Sequence, residues 1–386
     1  MQGNTRQAAI WNYLRNLDYL QLVTVALLLG IGLIFIHSTG MQIDTEESRG
    51  FFGRQLIWIG LGCTAYFLIS LPDYRSFTSR VAMLGGYALS VILLITVLFF
   101  GLKIFGATRW LNIFGFRLQP SEPAKLMVIC ALAAILSAPR FSRNKNLSLF
   151  LCTMTVLIPF ILIAIEPDLG SALVLLPISC AVIFASGIKW KIVILGLAAV
   201  AVGVAVILLD CFREEPVLLR GYQRDRIKTF LDPGADLSNR GYNAHQAKIA
   251  VGAGGYTGTG IGKGVQNELG FLPRTVSNND FIFSVIAEET GFCGVTGILF
   301  LYAMLLYSIL RTAFVTSGYG RYIAVGVATL IFCHIFINIG MSIGIAPVTG
   351  LPLPLISYGG SFILTSMITL GLVQAVYRQN KLDQLK

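Results

Sequence analysis

Four clusters of polar residues interrupt the long apolar stretches of this chain, and each contains side chains that could bind or react. They lie at residues 106–125, 166–171, 210–280 and 347–361. A charged group inside a bilayer costs roughly 3 kcal/mol on insertion scales, so the charges that remain there usually pair with one another or serve a function. Each cluster therefore poses a choice between a structural contact and a functional site.

The first cluster combines two cations with an indole ring. Arg109 and Lys125 could hold an anionic headgroup, and Trp110 could lie at the water interface or against the face of a sugar. The structural alternative is a helix start in which Ser121 is the N-cap, Glu122 lies where the helix dipole favours an acid, and Glu122 or Lys125 belongs to an ion pair. The residue types alone leave both alternatives open.

Two further clusters lie between apolar segments. Asp168 stands in a tight turn, and we expect it to cap the helix that follows. The last cluster carries several prolines before Ser357 and Tyr358, so it cannot be helical throughout. Irregular backbone at membrane depth is tolerated only where protein buries it or water reaches it. We therefore expect this segment to line a cavity.

The longest cluster, residues 210–280, has nearly balanced charge and could be a solvated surface. Its glycine-rich runs at 251–255 and 258–264, the second of which contains Lys263, lack the GxxxxGK[ST] and GxGxxG spacings of nucleotide sites. Nucleotide binding is therefore excluded. The cluster ends at Asp280, whose carboxylate precedes a helix and is either an N-cap or a reactive group at the membrane surface.

Membrane helices must position these clusters. Of the 386 residues, 55% are hydrophobic and only 12% are charged, with a mean hydropathy of +0.74, so lipid surrounds most of the chain. The net charge of +10 does not indicate a nucleic-acid partner, because Lys and Arg lie between apolar stretches and form no basic run with aromatic residues. The seven cysteines form no CxxC pair, which argues against a zinc site or a disulfide framework.

The predicted fold is an all-α polytopic membrane protein of about ten spans, in a single domain over residues 1–386. A span needs roughly 20 mostly apolar residues. The eighth candidate is too long for one untilted span, and we expect a kink near Glu288, Glu289 and Gly291. The first is read as a retained helix rather than a signal peptide. The ten candidates are 20–37, 55–71, 81–100, 123–137, 149–165, 170–187, 190–209, 281–310, 322–346 and 359–377.

Lys and Arg in the short connections predict the orientation in the membrane. With the N-terminus inside, most of these cations fall on the cytoplasmic side, as the positive-inside rule requires. The even number of spans then places both termini in the cytoplasm. Residues 210–280, between spans seven and eight, form a long loop on the outer side.

Taken in order along the chain, the motifs resemble those of the SEDS family of bacterial membrane proteins, the group that contains RodA and FtsW. A further motif, Gly241-Tyr242-Asn243 with Gln246, is more similar to the RodA branch than to the FtsW branch. The residues that carry the family resemblance are Gly106-Ala107 with Arg109-Trp110, Gln119-Pro120-Ser121-Glu122 with Lys125, Pro167-Asp168-Leu169-Gly170, Asp280-Phe281-Ile282-Phe283 with Glu288-Glu289, Asn338 with Met341, and Pro347-Val348 through Ser357-Tyr358-Gly359-Gly360-Ser361.

The resemblance implies a function as well as a fold. RodA-like proteins are peptidoglycan glycosyltransferases of the bacterial cytoplasmic membrane that polymerise lipid II on its outer side during cell elongation. They do so with a class B penicillin-binding protein and other membrane proteins of the elongation complex. The family's catalytic aspartate precedes Phe-Ile-Phe and corresponds to Asp280. The departures from the family are Arg274 in place of an acid, two additional residues before Asp280, Glu166 for glutamine, Ser171 for threonine and Phe362 for a second serine.

A mechanism follows from the substrate that the resemblance implies. Joining an α-linked sugar diphosphate through a β(1,4) bond requires inversion, so one in-line displacement with Asp280 as the general base suffices. Arg109 and Lys125, and after them Lys263 and Arg224, are candidates to stabilise the departing diphosphate. The sequence shows no oxygen-ligand motif for a metal and leaves a divalent cation open. Further substrate contacts are expected from Trp110, Glu122, Asp168, Ser357 and Tyr358.

Two other functions are compatible with the sequence. A lipid II flippase or transporter would place charged and broken-helix positions near the midplane of the membrane, whereas here they cluster toward the outer face. A non-catalytic scaffold that activates the penicillin-binding protein predicts that Asp280 is dispensable.

Overall fold

The structure, a computed structural model, describes residues 13–41, 46–104, 107–113, 115–139, 143–213, 224, 227–228, 230, 240–272 and 277–385. A short 3-10 helix at Tyr74–Thr78 precedes the third long helix. In chain order, the other elements of this part of the chain are α1 (Tyr19–Met41), α2 (Glu46–Ser70), α3 (Arg80–Phe100), β1 (Leu102–Ile104), β2 (Ala107–Ile113), β3 (Phe116–Leu118), α4 (Ser121–Ser137), α5 (Lys145–Ile165), α6 (Leu169–Ala185), α7 (Trp190–Cys211), α8 (Arg240–Ala253), α9 (Val265–Glu268), α10 (Ile282–Val315), α11 (Tyr319–Ile343) and α12 (Gly360–Gln384).

Ten of these helices, α1 to α7 and α10 to α12, follow the order and approximate positions of the ten predicted spans. Eight of them are long and apolar enough to cross a membrane, counted over the described residues. The other two, α4 and α6, have 17 residues each. They reach about 26 Å, slightly less than a hydrocarbon core of roughly 30 Å. The predicted all-α polytopic architecture is confirmed.

The two short helices lie in the interior of the bundle. Helix α4 contacts α3, α5, α6 and α11, and α6 contacts α5 and α11. By contrast, none of the described side chains in the apolar stretch of α7 is buried, whereas 67% of the corresponding stretch is buried in each of α11 and α12. Protein rather than lipid therefore surrounds the helices that follow the polar clusters at 119–125 and 166–171.

Two glycines show how closely the helices approach one another. A Cβ on Gly371 of α12 would lie 2.7 Å from the carbonyl oxygen of Tyr66 in α2, and a Cβ on Gly326 of α11 would lie 2.6 Å from Ile129 in α4. Lipid tails are as apolar as leucine, so membrane helices associate largely through close van der Waals packing. Any larger residue at either position would separate the two helices.

A small antiparallel sheet, which the sequence did not predict, joins α3 to α4. Strand β2 pairs with both β1 and β3, in a register that places Asn112 opposite Arg117. Gly115 has a φ of +85°, and its N–H donates to Asn112 Oδ1 at 3.0 Å, which stabilises the turn. The register of β1 with β2 shifts between Leu102, which lies opposite Trp110, and Lys103, which lies opposite Thr108, so Arg109 is the extra residue of a β-bulge.

The predicted kink in the eighth span is confirmed. Helix α10 contains one residue with non-helical dihedral angles, Gly291, at φ 64° and ψ −163°. This residue divides the helix into an outer part, residues 282–290, and a longer part, residues 292–315. Only glycine adopts such a conformation readily, because it has no Cβ.

The glycine-rich segment, residues 254–264, packs against this kink. A Cβ on Gly258 would lie 2.2 Å from Glu289 O, so the two backbones meet without intervening side chains. The side chains of Glu288 and Glu289 are each 1% exposed. They are held by Gln266 N, which donates to Glu288 Oε1 (3.0 Å), and by Ser38 Oγ, which donates to Glu289 Oε1 (2.6 Å). The backbone bonds are Thr259 N to Glu288 O (2.9 Å), Gly260 N to Glu289 O (3.0 Å), Phe292 N to Gly255 O (2.9 Å) and Cys293 N to Tyr256 O (3.1 Å).

Candidate active site

Asp280 lies directly before the N-cap of α10. Phe281 occupies the N-cap position and makes no side-chain capping bond, so Asp280 is not the N-cap residue of this helix. Asp280 is half-buried, whereas Phe281 is 1% exposed. The acid therefore stands at the end of a membrane helix and remains partly open to a substrate.

The backbone that carries Asp280 is held at three successive carbonyl oxygens. The donors come from α11 and from the irregular segment between α11 and α12, residues 347–359, which we call the proline segment. Because each of these carbonyls has its own partner, the three residues up to Asp280 are held in place. Arg274 and the rest of residues 273–276 lie outside the described residues. The bonds are Tyr358 N to Asn278 O (2.9 Å), Ser357 Oγ to Asn279 O (2.7 Å) and Asn338 Nδ2 to Asp280 O (2.9 Å).

The proline segment is irregular and borders a cavity, as predicted. Leu355 adopts a φ of +66°, and Tyr302 of α10 donates from its hydroxyl to Pro354 O at 2.5 Å. Ser357 Oγ also accepts from Leu353 N at 2.8 Å. Pro354 and Leu355 line a mostly apolar cavity between α10, α11 and α12, with His334 at one side. The segment is thus held from within the bundle as well as at Asp280.

Asp168 and Arg109 form a second cluster. Asp168 is the N-cap of α6, as predicted, and accepts from Ser171 N at 3.3 Å. It also accepts from Gln119 Nε2 at 3.0 Å, and its Oδ1 lies 3.6 Å from Arg109 Nη1. The Arg109 guanidinium donates in addition to Pro167 O. Its side chain is 12% exposed and that of Asp168 is 2% exposed, so the pair is largely enclosed.

Glu166 lies beside this cluster in the turn between α5 and α6. It is fully buried, and within the described residues neither carboxylate oxygen has a hydrogen-bond partner. Burial first, and then the neighbouring Asp168, raise the pKa of Glu166 to about 9, against the opposing effect of Arg109. Glu166 is therefore uncharged at neutral pH, like the glutamine that is usual here in SEDS proteins.

Lys125 and Glu122 form a buried ion pair. Lys125 Nζ donates to Glu122 Oε1 at 2.8 Å, and the two side chains are 0% and 5% exposed. Lys125 Nζ also lies 2.9 Å from His334 Nε2 in α11. The ion pair allowed by the sequence therefore forms inside the bundle.

The prediction that Ser121 caps α4 is wrong. Pro120 occupies the N-cap position and provides no side-chain bond, and Ser121 is the first helical residue. Proline at this point fixes φ near the helical value, so the helix starts there without a polar cap.

Four further predicted contact residues differ in their exposure. Trp110 is half-buried in β2. Tyr358 is half-buried, and its ring meets that of Phe51 edge to face at 4.9 Å. Lys263 is exposed on the glycine-rich segment near the kink in α10. Arg224 is half-buried, and its Nε donates to Cys211 O at 3.0 Å.

Sequence reasoning gave no role to His334 or Asn338. Both are buried polar side chains of the largely apolar helix α11, at 2% and 0% exposure. Their spacing of four residues places them on one face of the helix. Two polar residues four apart in an apolar segment could have indicated a contact from the sequence, since polar groups inside a membrane bundle usually have partners.

The described residues contain no group of three or more His, Cys, Asp or Glu side chains that could hold a metal ion. The adjacent acids Glu288 and Glu289 are held by the contacts given above.

Known proteins resemble this chain over nearly its full length. The family model described as cell cycle protein, for FtsW, RodA and SpoVE, matches residues 19–382. Peptidoglycan glycosyltransferase MrdB of Escherichia coli (strain K12) is 33% identical over 386 residues, which cover 99% of each chain. A chain from a study of polymerization and crosslinking by a peptidoglycan synthase complex has a TM-score of 0.78 at 30% identity, covering 94% of this chain and 98% of that one.

The crystal structure of the Thermus thermophilus rod shape determining protein RodA agrees with this assignment. It has a TM-score of 0.67 at 28% identity, covering 94% of this chain and 97% of the RodA chain. The family match, the sequence identity and the shared fold thus concern the same residues. The chain belongs to the FtsW, RodA and SpoVE family of cell cycle proteins, the group that the SEDS resemblance indicated.

Proposed function

We propose that this protein is a peptidoglycan glycosyltransferase that polymerises lipid II into β(1,4)-linked glycan strands during cell elongation, with Asp280 as the general base. The family and the peptidoglycan glycosyltransferase relative support the reaction. The observation that carries the residue assignment is the arrangement at the entrance to α10. There, three anchored carbonyls fix the backbone, while the Asp280 side chain is half-buried and is not the N-cap.

The proposed reaction is one in-line displacement. The 4-hydroxyl of the acceptor sugar attacks the anomeric carbon of the donor, and its proton passes to the Asp280 carboxylate. The bond from the anomeric carbon to the diphosphate oxygen breaks, and the polyprenyl diphosphate leaves with the electron pair. Inversion at the anomeric carbon converts the α-linkage into a β-linkage, so no covalent enzyme intermediate is needed.

Cations are needed where the diphosphate leaves. Of the predicted candidates, Lys263 is exposed and the Arg109 side chain is 12% exposed. Lys125 is fully buried and paired with Glu122. We therefore assign the diphosphate to Lys263 and Arg109 before Lys125.

We propose that Asp280 faces the outer side of the cytoplasmic membrane and that both termini are cytoplasmic. Arg311 lies near the end of α10 that is far from Asp280, and Asp18 directly precedes α1. Arg311 Nη2 lies 2.8 Å from Asp18 Oδ2. The start of α1 and the far end of α10 thus lie at the same end of the bundle. The positive-inside rule favours this end, which is rich in Lys and Arg, for the cytoplasm.

The proposed partners are a class B penicillin-binding protein and other membrane proteins of the elongation complex. Support comes from the similar chain in a peptidoglycan synthase complex. Such a partner would supply crosslinking, which uses the glycan strands that this protein makes.

Replacing the base tests the function. Purified protein with lipid II and its penicillin-binding partner is assayed for glycan strands, as wild type and as Asp280→Asn. Loss of the base should reduce strand synthesis by about 100-fold or more, within the range for general base catalysis. Glu268→Gln, at an exposed acid of the same long loop, is the matched control and should keep wild-type activity.

The alternatives give different results in the same experiment. A scaffold predicts that Asp280→Asn supports unchanged synthesis by the complex, and this outcome would refute the proposed base. A flippase predicts that wild-type protein moves lipid II across vesicle membranes without making strands. Folding and partner binding of each variant are checked by thermal unfolding and co-purification.

A further inference from the structure

Two side chains on one face of α11 hold consecutive carbonyls of the proline segment. Asn338 Nδ2 donates to Leu351 O at 2.8 Å and to Asp280 O at 2.9 Å. One turn earlier, His334 Nδ1 lies 3.3 Å from Pro352 O. A single amide group thus ties the backbone of Asp280 to the proline segment, and His334 holds the next residue of that segment.

Asn338 acts here purely as a donor. Its amide nitrogen carries two hydrogens, one for each carbonyl. Its Oδ1 is buried and has no hydrogen-bond partner among the described residues. No aliphatic side chain and no carboxylate can replace two N–H donors at this point.

The buried ion pair fixes His334. Lys125 Nζ has only hydrogens to offer, so His334 Nε2 at 2.9 Å must be the acceptor. The proton of the neutral ring is then on Nδ1, which donates to Pro352 O. Glu122, at 2.8 Å from Lys125 Nζ, holds the cation in place. The contacts run without interruption from α4 through α11 to the proline segment.

We infer that Asn338 is a positioning residue for the catalytic aspartate, and that Glu122, Lys125 and His334 fix the proline segment to which Asn338 ties it. This inference rests on the proposed function of Asp280. It gives Glu122 and Lys125 a role inside the protein in place of contact with substrate. A shift of about 1 Å in a reacting group can cost roughly 100-fold in rate, so loosening one anchor of Asp280 should be seen in turnover.

The test separates turnover from substrate binding. Asn338→Ala should lower kcat for lipid II polymerisation by about tenfold or more, with KM within about twofold of wild type and Tm and partner binding retained, since the lost bonds position the base and do not touch substrate. Ser342→Ala is the matched control. Ser342 is also fully buried on α11 and donates within its own helix, to Asn338 O at 3.0 Å. Its kcat should stay within about twofold of wild type.

A second pair of variants tests whether His334 and Asn338 act through the same segment. His334→Leu should also lower kcat, and combining it with Asn338→Ala should cost less than the product of the single effects, because both act through the same segment. His334→Gln, which can still donate and accept, should recover part of the loss. Independent, multiplicative effects would overturn the joint action of His334 and Asn338 through the proline segment.

Asp280→Asn is measured in parallel, so that the two failures can be told apart. If Asp280→Asn is inactive but Asn338→Ala keeps kcat within about twofold of wild type, the positioning role is overturned and the proposed base stands. If Asp280→Asn is active, the proposed base itself is wrong. If Asn338→Ala does not fold, Asn338→Ser, whose one donor can serve only one carbonyl, is read by the same criteria.

Discussion

Two irregular segments meet α10, one at each end of its outer part. The residues just before the helix are anchored chiefly by two side-chain donors, Ser357 of the proline segment and Asn338 of α11. The glycine-rich segment binds the kink through backbone groups, and a Cβ on the neighbouring Gly254 or Gly258 would clash with the backbone of α10. Neither segment is helical, so backbone groups near it need partners other than those of a helix. Near the proline segment these partners are mainly side chains, and in the glycine-rich segment they are other backbone groups.

This difference predicts which substitutions each segment tolerates. A contact made by a side chain can be removed while the chain keeps its path, so changes near the proline segment should appear mainly in activity. A contact that requires the absence of a side chain fails when any Cβ is added. Changes in the glycine-rich segment should therefore appear mainly in folding.

The largest effect is expected from Gly258→Ala. Its Cβ would lie 2.2 Å from Glu289 O, at a φ of +77°, so the backbone must move and stability should fall by more than about 4 kcal/mol. Gly262 has the same φ of +77° but no atom within 4 Å, and Gly262→Ala should cost only about 1–2 kcal/mol. Thermal unfolding in detergent compares the two. Equal losses would show that backbone strain, and not close approach, governs this segment.

Glu166→Gln should be more stable than wild type, and the difference in the free energy of unfolding should grow as the pH rises. The pKa of this acid is raised from an ordinary value of 4.5 to about 9 in the folded state, so folding binds a proton, and stability is lost as the pH climbs from about 4.5 to 9. Glutamine does not titrate. The variant should gain about 3 kcal/mol at pH 7, at about 1.4 kcal/mol for each pKa unit, and more at pH 9. Thermal unfolding at pH 5, 7 and 9 measures this, with Glu268→Gln at an exposed position as the control.

The Glu166→Gln result bears on the proline segment, because the turn between α5 and α6 packs against that segment. A Cβ on Gly170, at the start of α6, would lie 2.8 Å from the Thr349 side chain and 3.5 Å from that of Leu351. A pH-independent difference between Glu166→Gln and wild type would instead mean that Glu166 is charged or reaches water in the folded protein.

A smaller effect on stability is expected from Ser357→Ala. The hydroxyl donates to Asn279 O and accepts from Leu353 N, so its loss leaves buried groups unpaired at a cost of about 1–2 kcal/mol. Strand synthesis should fall several-fold, since one anchor before Asp280 is gone. Ser361→Ala removes another buried hydroxyl, one without a hydrogen-bond partner in the described chain, and should be neutral in both assays. Similar losses in the two variants would count against the anchoring role.

Much of the fold could be predicted from the sequence because its determinants are local. Apolar runs of sufficient length predicted the helices, Gly291 in an overlong span predicted the kink, and Asp168 before α6 predicted its cap. The sheet at β1 to β3 was missed because three short strands with local pairing carry little apolar pattern. The cap at Ser121 was wrong because the neighbouring Pro120 starts the helix instead.

The site was predictable only in part because its contacts join distant parts of the chain. Asp280 was found through its motif, but Asn338, which holds its carbonyl, lies 58 residues away. The glycine-rich runs served only to exclude nucleotide binding, because nothing in their local sequence indicates which helix their backbone approaches. The closeness of Lys125 to His334 likewise depends on the packing of α4 against α11, which no local pattern encodes.

The break at Gly291 makes the angle between the two parts of α10 depend on another part of the chain. The glycine-rich segment bonds both sides of the break, at Glu288 O and Glu289 O in the outer part and at Phe292 N and Cys293 N in the longer part. Residues 282–289 are also buried. The position of Asp280, directly before the outer part, therefore depends on a segment that continues from α8.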